Sequence, residues 1–172
     1  MIGFGDDNIQ QFSLSTAYTV GTSSYDGYYS LSADGITSPY AMRWNNDGYK
    51  FFVVDYSANA IIEYSASNAY DVTSGTITEG TNFSVTSYES DPRDVAFNAD
   101  GTKMFVIGNS SDKIHEWTLS TGFDSSTISA TQAIDLSNLR WPSGPSGNYY
   151  LTNYWATPAG CRFNGDGTTI TI

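Results

Sequence analysis

Few residues of this 172-residue chain are suited to chemistry, and their spacing limits what they can do. His115 is the single histidine. That rules out a His-rich zinc site and disfavours a Ser-His-Asp triad assembled from repeated parts. It falls in a strand run between Ile114 and Glu116 and is expected on the surface. Three Asn-x-Asp-Gly runs, at 45–48, 98–101 and 164–167, invite a calcium reading. Asp-Gly is a favoured hairpin turn, however, and the distal Glu of an EF-hand loop is missing, so they are read as turns. Cys161 has no second cysteine to pair with and is expected to be a small core residue rather than a reactive thiol. No catalytic residue, metal ligand or cofactor is assigned.

The elements that would position these residues come from internal repetition. Shifting the chain by 53 lays Ser38–Ser67 on Asp91–Ser120, with Pro39 on Pro92, Trp44 on Phe97 and Asp47-Gly48 on Asp100-Gly101. A shift of 66 lays Thr157–Ile172 on the first half of the same unit, and a shift of 105 lays Ile2–Ser15 on Ile107–Ser120. Two whole repeats and two half repeats result. A period near fifty with several short strands predicts an all-β fold, a β-propeller of four-stranded antiparallel blades, about three blades' worth per chain. The expected parts are a half blade over 1–33, blades over 34–90 and 91–137, an inserted loop over 138–156 and a half blade over 157–172. Within the blades, strands are expected near 40–45, 50–55, 60–66 and 82–87, then near 93–98, 103–108, 113–119 and 130–136. Phe51-Phe52-Val53-Val54 lacks alternation, as a strand covered on both faces does. Tyr18, Tyr70 and Phe123 occupy one repeat position and are expected to wedge between neighbouring sheets. Trp44, Phe97 and Phe163 occupy another and are expected to be buried between blades.

In a propeller the innermost strand lines a central channel. Tyr40, Arg43, Arg93, Asp94 and Arg162 are the candidate channel-lining residues, with Met42 and Cys161 beside them. One acid among three arginines makes a poor cation site; an Arg–Asp pair tying blades together is the favoured reading. The inserted loop carries Trp141, Tyr149, Tyr150, Tyr154 and Trp155, which either stack on a ligand such as a sugar or fold back to cap the repeat.

Composition narrows the classes of partner. The net charge is −11 with seven Lys and Arg, a surface that repels phosphate backbones, so no nucleic-acid partner is expected. No apolar run is long enough to insert into a membrane, and no signal peptide opens the chain.

The units PRDVAFNADGTKMFVIGNSSDKIHEW and PYAMRWNNDGYKFFVVDYSANAIIEY resemble blades of the YVTN/lactonase-like β-propeller superfamily, and the downstream AYDV element at Ala69–Val72 resembles the long repeat arrays of environmental bacterial and phage surface proteins. The resemblance implies a blade fold and leaves function open among enzymes, binding modules and structural proteins. The leading expectation is a non-enzymatic structural or adhesive subunit at an extracellular or virion surface. The alternatives are a carbohydrate-binding propeller using loop 138–156 and a lactonase-like hydrolase with a channel metal site. The expected partner is a second copy, giving a homodimer that completes a six-bladed ring, or the rest of a longer propeller chain; a surface glycan or other virion proteins are further candidates.

Overall fold

The computed structural model describes residues 2–3, 5–136 and 160–172, which form antiparallel sheets joined by tight turns. The first sheet holds β1 (Ile2–Gly3), β2 (Asn8–Leu14) and β3 (Ser23–Ser30). The second, the first complete blade, holds β4 (Pro39–Trp44), β5 (Lys50–Asp55), β6 (Ala60–Ala66) and β7 (Ile77–Ser84). The second complete blade holds β8 (Pro92–Phe97), β9 (Lys103–Gly108), β10 (Lys113–Leu119) and β11 (Ile128–Asp135). A hairpin of β12 (Arg162–Phe163) and β13 (Ile170–Thr171) follows. Strands pair with their neighbours in chain order in every sheet.

The Asn-x-Asp-Gly runs are the β4–β5, β8–β9 and β12–β13 turns. Gly48, Gly101 and Gly167 have φ of 77°, 72° and 72°, a left-handed conformation that glycine adopts without a Cβ clash. The Asn carbonyl caps the turn: Asn45, Asn98 and Asn164 Oδ1 accept from the amides of Lys50, Lys103 and Thr169. These side chains are thereby committed to the backbone.

Apolar residues pack between successive sheets. Phe51 and Val53 face Ile9 and Leu31 of the first sheet, while Phe52 and Val54 face Val95, Met104 and Trp117 of the second blade. Both faces of β5 are therefore covered, the reason it reads as a continuous apolar run. A third cluster joins Ala96, Ile107 and Ile114 to Cys161 of the hairpin.

Four local expectations are corrected. β7 begins at Ile77 and ends at Ser84, earlier than the 82–87 run, because Val85 leaves the sheet and its carbonyl accepts from the Tyr88 and Glu89 amides in a turn. His115 is buried, at 4 % exposure, under Tyr88 and Trp117. Tyr18 and Tyr70 do not wedge between sheets: Tyr18 is exposed and the Tyr70 ring lies over Gly48 of its own blade, whereas Phe123 lies over Gly101 of its own blade and also packs against the cluster between the two blades, 6.5 Å from Phe52. Trp44, Phe97 and Phe163 are half-buried rather than buried. Phe97 and Phe163 still reach the preceding sheet, with ring centroids 4.4 Å from Phe52 and 4.5 Å from Phe105.

Candidate functional site

Period-two alternation on the inner strands brings Arg43 of β4, Asp94 of β8 and Arg162 of β12 together. Arg43 Nη2 lies 2.6 and 2.8 Å from the two Asp94 carboxylate oxygens, and Arg162 Nη1 lies 2.8 Å from Oδ2. Cys161 N donates to Oδ2 at 3.2 Å and Val95 N to Oδ1 at 2.9 Å. Asp94 is buried to 2 % exposure, and one carboxylate ties three successive sheets together. Its repeat equivalents are Ala41 and Gly160. Gly160 leaves the space: a Cβ there would stand 2.9 Å from Asp94 Oδ2.

Two guanidiniums against one carboxylate leave a net positive charge in a chain of net charge −11. Arg43 and Arg162 also line a cavity of about 600 Å³ whose walls include Trp44, Phe97, Phe163 and Asp166. Both arginines stand between it and a smaller cavity bounded by Asp94, Gly160 and Thr171. Asp100 and Asp166 on the large cavity's wall accept from the amides and hydroxyls of Thr102 and Thr168, which holds both carboxyls below the usual carboxylate range. Cys161 is buried, and desolvation pushes its thiol up to about 11, so it stays protonated at neutral pH.

Tyr40 and Arg93 are placed apart from this cluster. Arg93 pairs with Asp91 at 2.6 Å and lies 4.2 Å from the Tyr40 ring centroid, with Tyr56 at 5.6 Å. Trp141, Tyr149, Tyr150, Tyr154 and Trp155 lie outside the described residues. Gly160 and the aromatic wall of the cavity were not singled out from the sequence. The signal was present, since Trp44, Phe97 and Phe163 end equivalent strands beside a turn, but a turn end was read only as packing.

A second cluster joins Glu89, Ser111 and His115. Ser111 Oγ donates to Glu89 Oε2 at 2.6 Å and stands 3.1 Å from His115 Nε2. The hydroxyl hydrogen is spent on the carboxylate, so the imidazole meets the oxygen as a donor and cannot act as its base. Burial holds the His115 pKa below its usual value. This cluster fixes the β9–β10 turn.

No family model and no curated protein matches the chain. Solved structures do. The periplasmic gluconolactonase of Pseudomonas aeruginosa superposes with a TM-score of 0.54 at 18 % identity over 76 % of this chain and 34 % of its own. Candidate 6-phosphogluconolactonases of Bacteroides fragilis and Bacteroides uniformis give 0.59 at 11 % and 0.56 at 13 % identity, each over 97 % of this chain and 41 % of its own. The fold is that of the lactonase-like β-propellers. The chain spans between about a third and two fifths of the length of these structures.

This finding corrects the expectation of a non-enzymatic structural or adhesive subunit. Three of the solved chains that share the fold bear lactonase names, which favours the hydrolase alternative, and none of the three lends support to a virion, phage or adhesion assignment.

Proposed function

We propose that this chain contributes to a lactonase-like propeller that opens a sugar-acid lactone, with Arg43 and Arg162 holding the reacting end of the substrate. The observation that carries the reading is the pair of guanidiniums, Arg43 and Arg162, held side by side by Asp94 on the aromatic wall of the cavity. When water attacks a lactone carbonyl, negative charge builds on the carbonyl oxygen, the ring C–O bond breaks and a carboxylate forms. Positioned guanidiniums favour each of these anions over the neutral lactone, and one such donor is worth about 10²–10³ in rate. Aromatic side chains beside them suit the apolar face of a sugar ring.

A metal does not fit the cluster. Both Asp94 oxygens are taken by guanidinium and amide donors, and among the described residues no three His, Cys, Asp or Glu side chains come together. The arginines are the electrophilic groups that this reading uses. The periplasmic location of the Pseudomonas neighbour supports an exported protein.

The test is acid release in a pH-stat with glucono-1,5-lactone and 6-phosphogluconolactone. The protein is expected to accelerate ring opening above the buffer rate, with Arg162→Ala lowering kcat/KM about 10²-fold or more. Arg162 is chosen because its side chain is 63 % exposed, so its loss spares the core. A folded protein that accelerates neither lactone overturns the reading.

A further inference from the structure

The wall of the large cavity carries charge of both signs, and the two signs come from different parts of the blade plan. Arg43 and Arg162 are strand residues, on β4 and β12. Asp100 and Asp166 lie on the β8–β9 and β12–β13 turns. Roughly 7 Å along the strand direction separates Arg162 from the start of its turn at Asn164. Phe97, Phe105 and Phe163 supply apolar wall to the same space. A bound molecule therefore meets cations where the inner strands run and anions where they turn.

Groups of both signs are open to a ligand. Arg162 Nη1 donates to Asp94 Oδ2 and to the Cys161 carbonyl at 2.8 and 2.7 Å, and no hydrogen bond holds its Nε or Nη2 among the described residues. Those two nitrogens form the planar fork that matches a carboxylate or a polarised carbonyl. On the turns, Oδ1 of Asp100 and of Asp166 accepts from the amide and hydroxyl two residues on. These bonds fix the side chains and favour the ionised form. Neither carboxylate is ion-paired among the described residues. Two arginines thus face three carboxylates, Asp94 beneath them and Asp100 and Asp166 on the turns, so the surroundings carry one negative charge in excess. Asp47, the equivalent turn residue of the first complete blade, does not line the cavity.

We infer that this cavity selects an uncharged lactone ending in a hydroxyl, and that Asp100 and Asp166 exclude the phosphorylated counterpart. The inference rests on the lactonase reading and says which of its substrates fits. With the reacting carbonyl on the Arg43 and Arg162 guanidiniums, the far end of the ring is directed along the hairpin toward the turns. A hydroxyl there donates to a carboxylate oxygen. A phosphate monoester carries about −1.5 to −2 charge at neutral pH and offers acceptor oxygens, so it meets two carboxylates of like charge with little to donate. The discrimination is by repulsion at the end remote from the chemistry. The same surroundings favour turnover: the substrate enters neutral, and ring opening leaves a carboxylate that the negative excess helps to expel.

Steady-state acid release with glucono-1,5-lactone and 6-phosphogluconolactone tests it. At low ionic strength kcat/KM is expected to favour the unphosphorylated ring about tenfold or more. Asp100→Asn and Asp166→Asn keep the side-chain oxygen that accepts from the turn amide, and both positions are exposed, so the fold is spared. Each should move the ratio toward the phosphate ester by about threefold, through KM, and the double variant by about tenfold. The shift should shrink in about 0.5 M salt, which a change of packing would not do. Asp47→Asn should leave the ratio where it is. A wild type that opens 6-phosphogluconolactone as well as or better than the unphosphorylated ring overturns this inference and leaves the lactonase reading standing. So does a ratio that the Asp100 and Asp166 variants leave unchanged, or one that Asp47→Asn moves equally. A folded protein that opens neither lactone overturns both.

Discussion

Two buried carboxylates bridge neighbouring blades, and they do so differently. Glu63 is 5 % exposed and meets Lys50 at 2.5 Å, with Ser125 N and Oγ at 2.8 and 2.7 Å. Lys50 also donates to the Phe123 carbonyl at 2.9 Å. One acid, one base and two neutral donors leave that clasp balanced and closed. Asp94 instead meets two arginines, a cluster with one cation in excess whose guanidiniums also line a cavity. The Glu63 position recurs as Gln11 and Glu116, whereas the Asp94 position reads Ala41 and Gly160 in the other sheets. A feature that repeats builds the scaffold; one that occurs once among equivalent strands is where a scaffold is adapted to a ligand.

Removing each carboxylate tests this contrast. Asp94→Ala leaves two guanidiniums facing each other at the inner strands and should cost about 3–5 kcal/mol in urea unfolding. A loss below about 1 kcal/mol would mean that water already solvates both arginines, and the contrast with Glu63 would collapse. Phe97→Ala comes next. The half-buried ring bridges to Phe52, and its loss should cost about 2 kcal/mol, less than the 3–5 of a fully enclosed aromatic. Glu63→Gln should cost only about 1 kcal/mol, since Gln11 already shows an amide oxygen accepting at this position. A larger loss would show that the charge, not the acceptor, carries the clasp.

The smallest effect is a pH slope. Burial lowers the His115 pKa, so the unfolded chain takes up a proton first as pH falls below about 6.5. Glu89 opposes that shift and Lys113 adds to it, while Tyr88 and Ser111 face the ring without charge at these pH values. Stability should therefore decline from pH 6.5 downward, and His115→Gln should flatten that limb of a Tm-against-pH curve. An unchanged slope would place the proton uptake elsewhere.

The blade plan was legible because turn chemistry and apolar periodicity are local. The Asn-x-Asp-Gly turns and the double-sided β5 follow from adjacent residues. The Arg43–Asp94–Arg162 contact was partly legible, since the repeat shifts place all three on inner strands. Which arginine meets the acid was not: Arg93 is next to Asp94 in sequence, yet alternation turns it toward Tyr40, and Gly160 opens the path to Arg162. His115 was misplaced because a polar residue in a strand was equated with a solvent face, when Glu89 and Ser111 from two different turns meet it inside. That Tyr70 and Phe123 cover the glycine turn of their own blade was not legible, because repetition reveals equivalence but not the direction of a left-handed residue.

That left-handed aromatic also implies an order of assembly. A non-glycine residue at positive φ costs about 1–2 kcal/mol, and at Tyr70 and Phe123 the ring and amide contacts with the glycine turn offset it. Those contacts exist only once β4–β5 or β8–β9 has turned. The inner hairpin of each blade should form first and serve as the template on which the outer hairpin closes. Native-state hydrogen exchange should then find β6–β7 and β10–β11 opening while the inner hairpins stay protected. The loop at Tyr18 holds the same backbone with no turn beneath its ring, so in the isolated chain it should exchange fastest of the three.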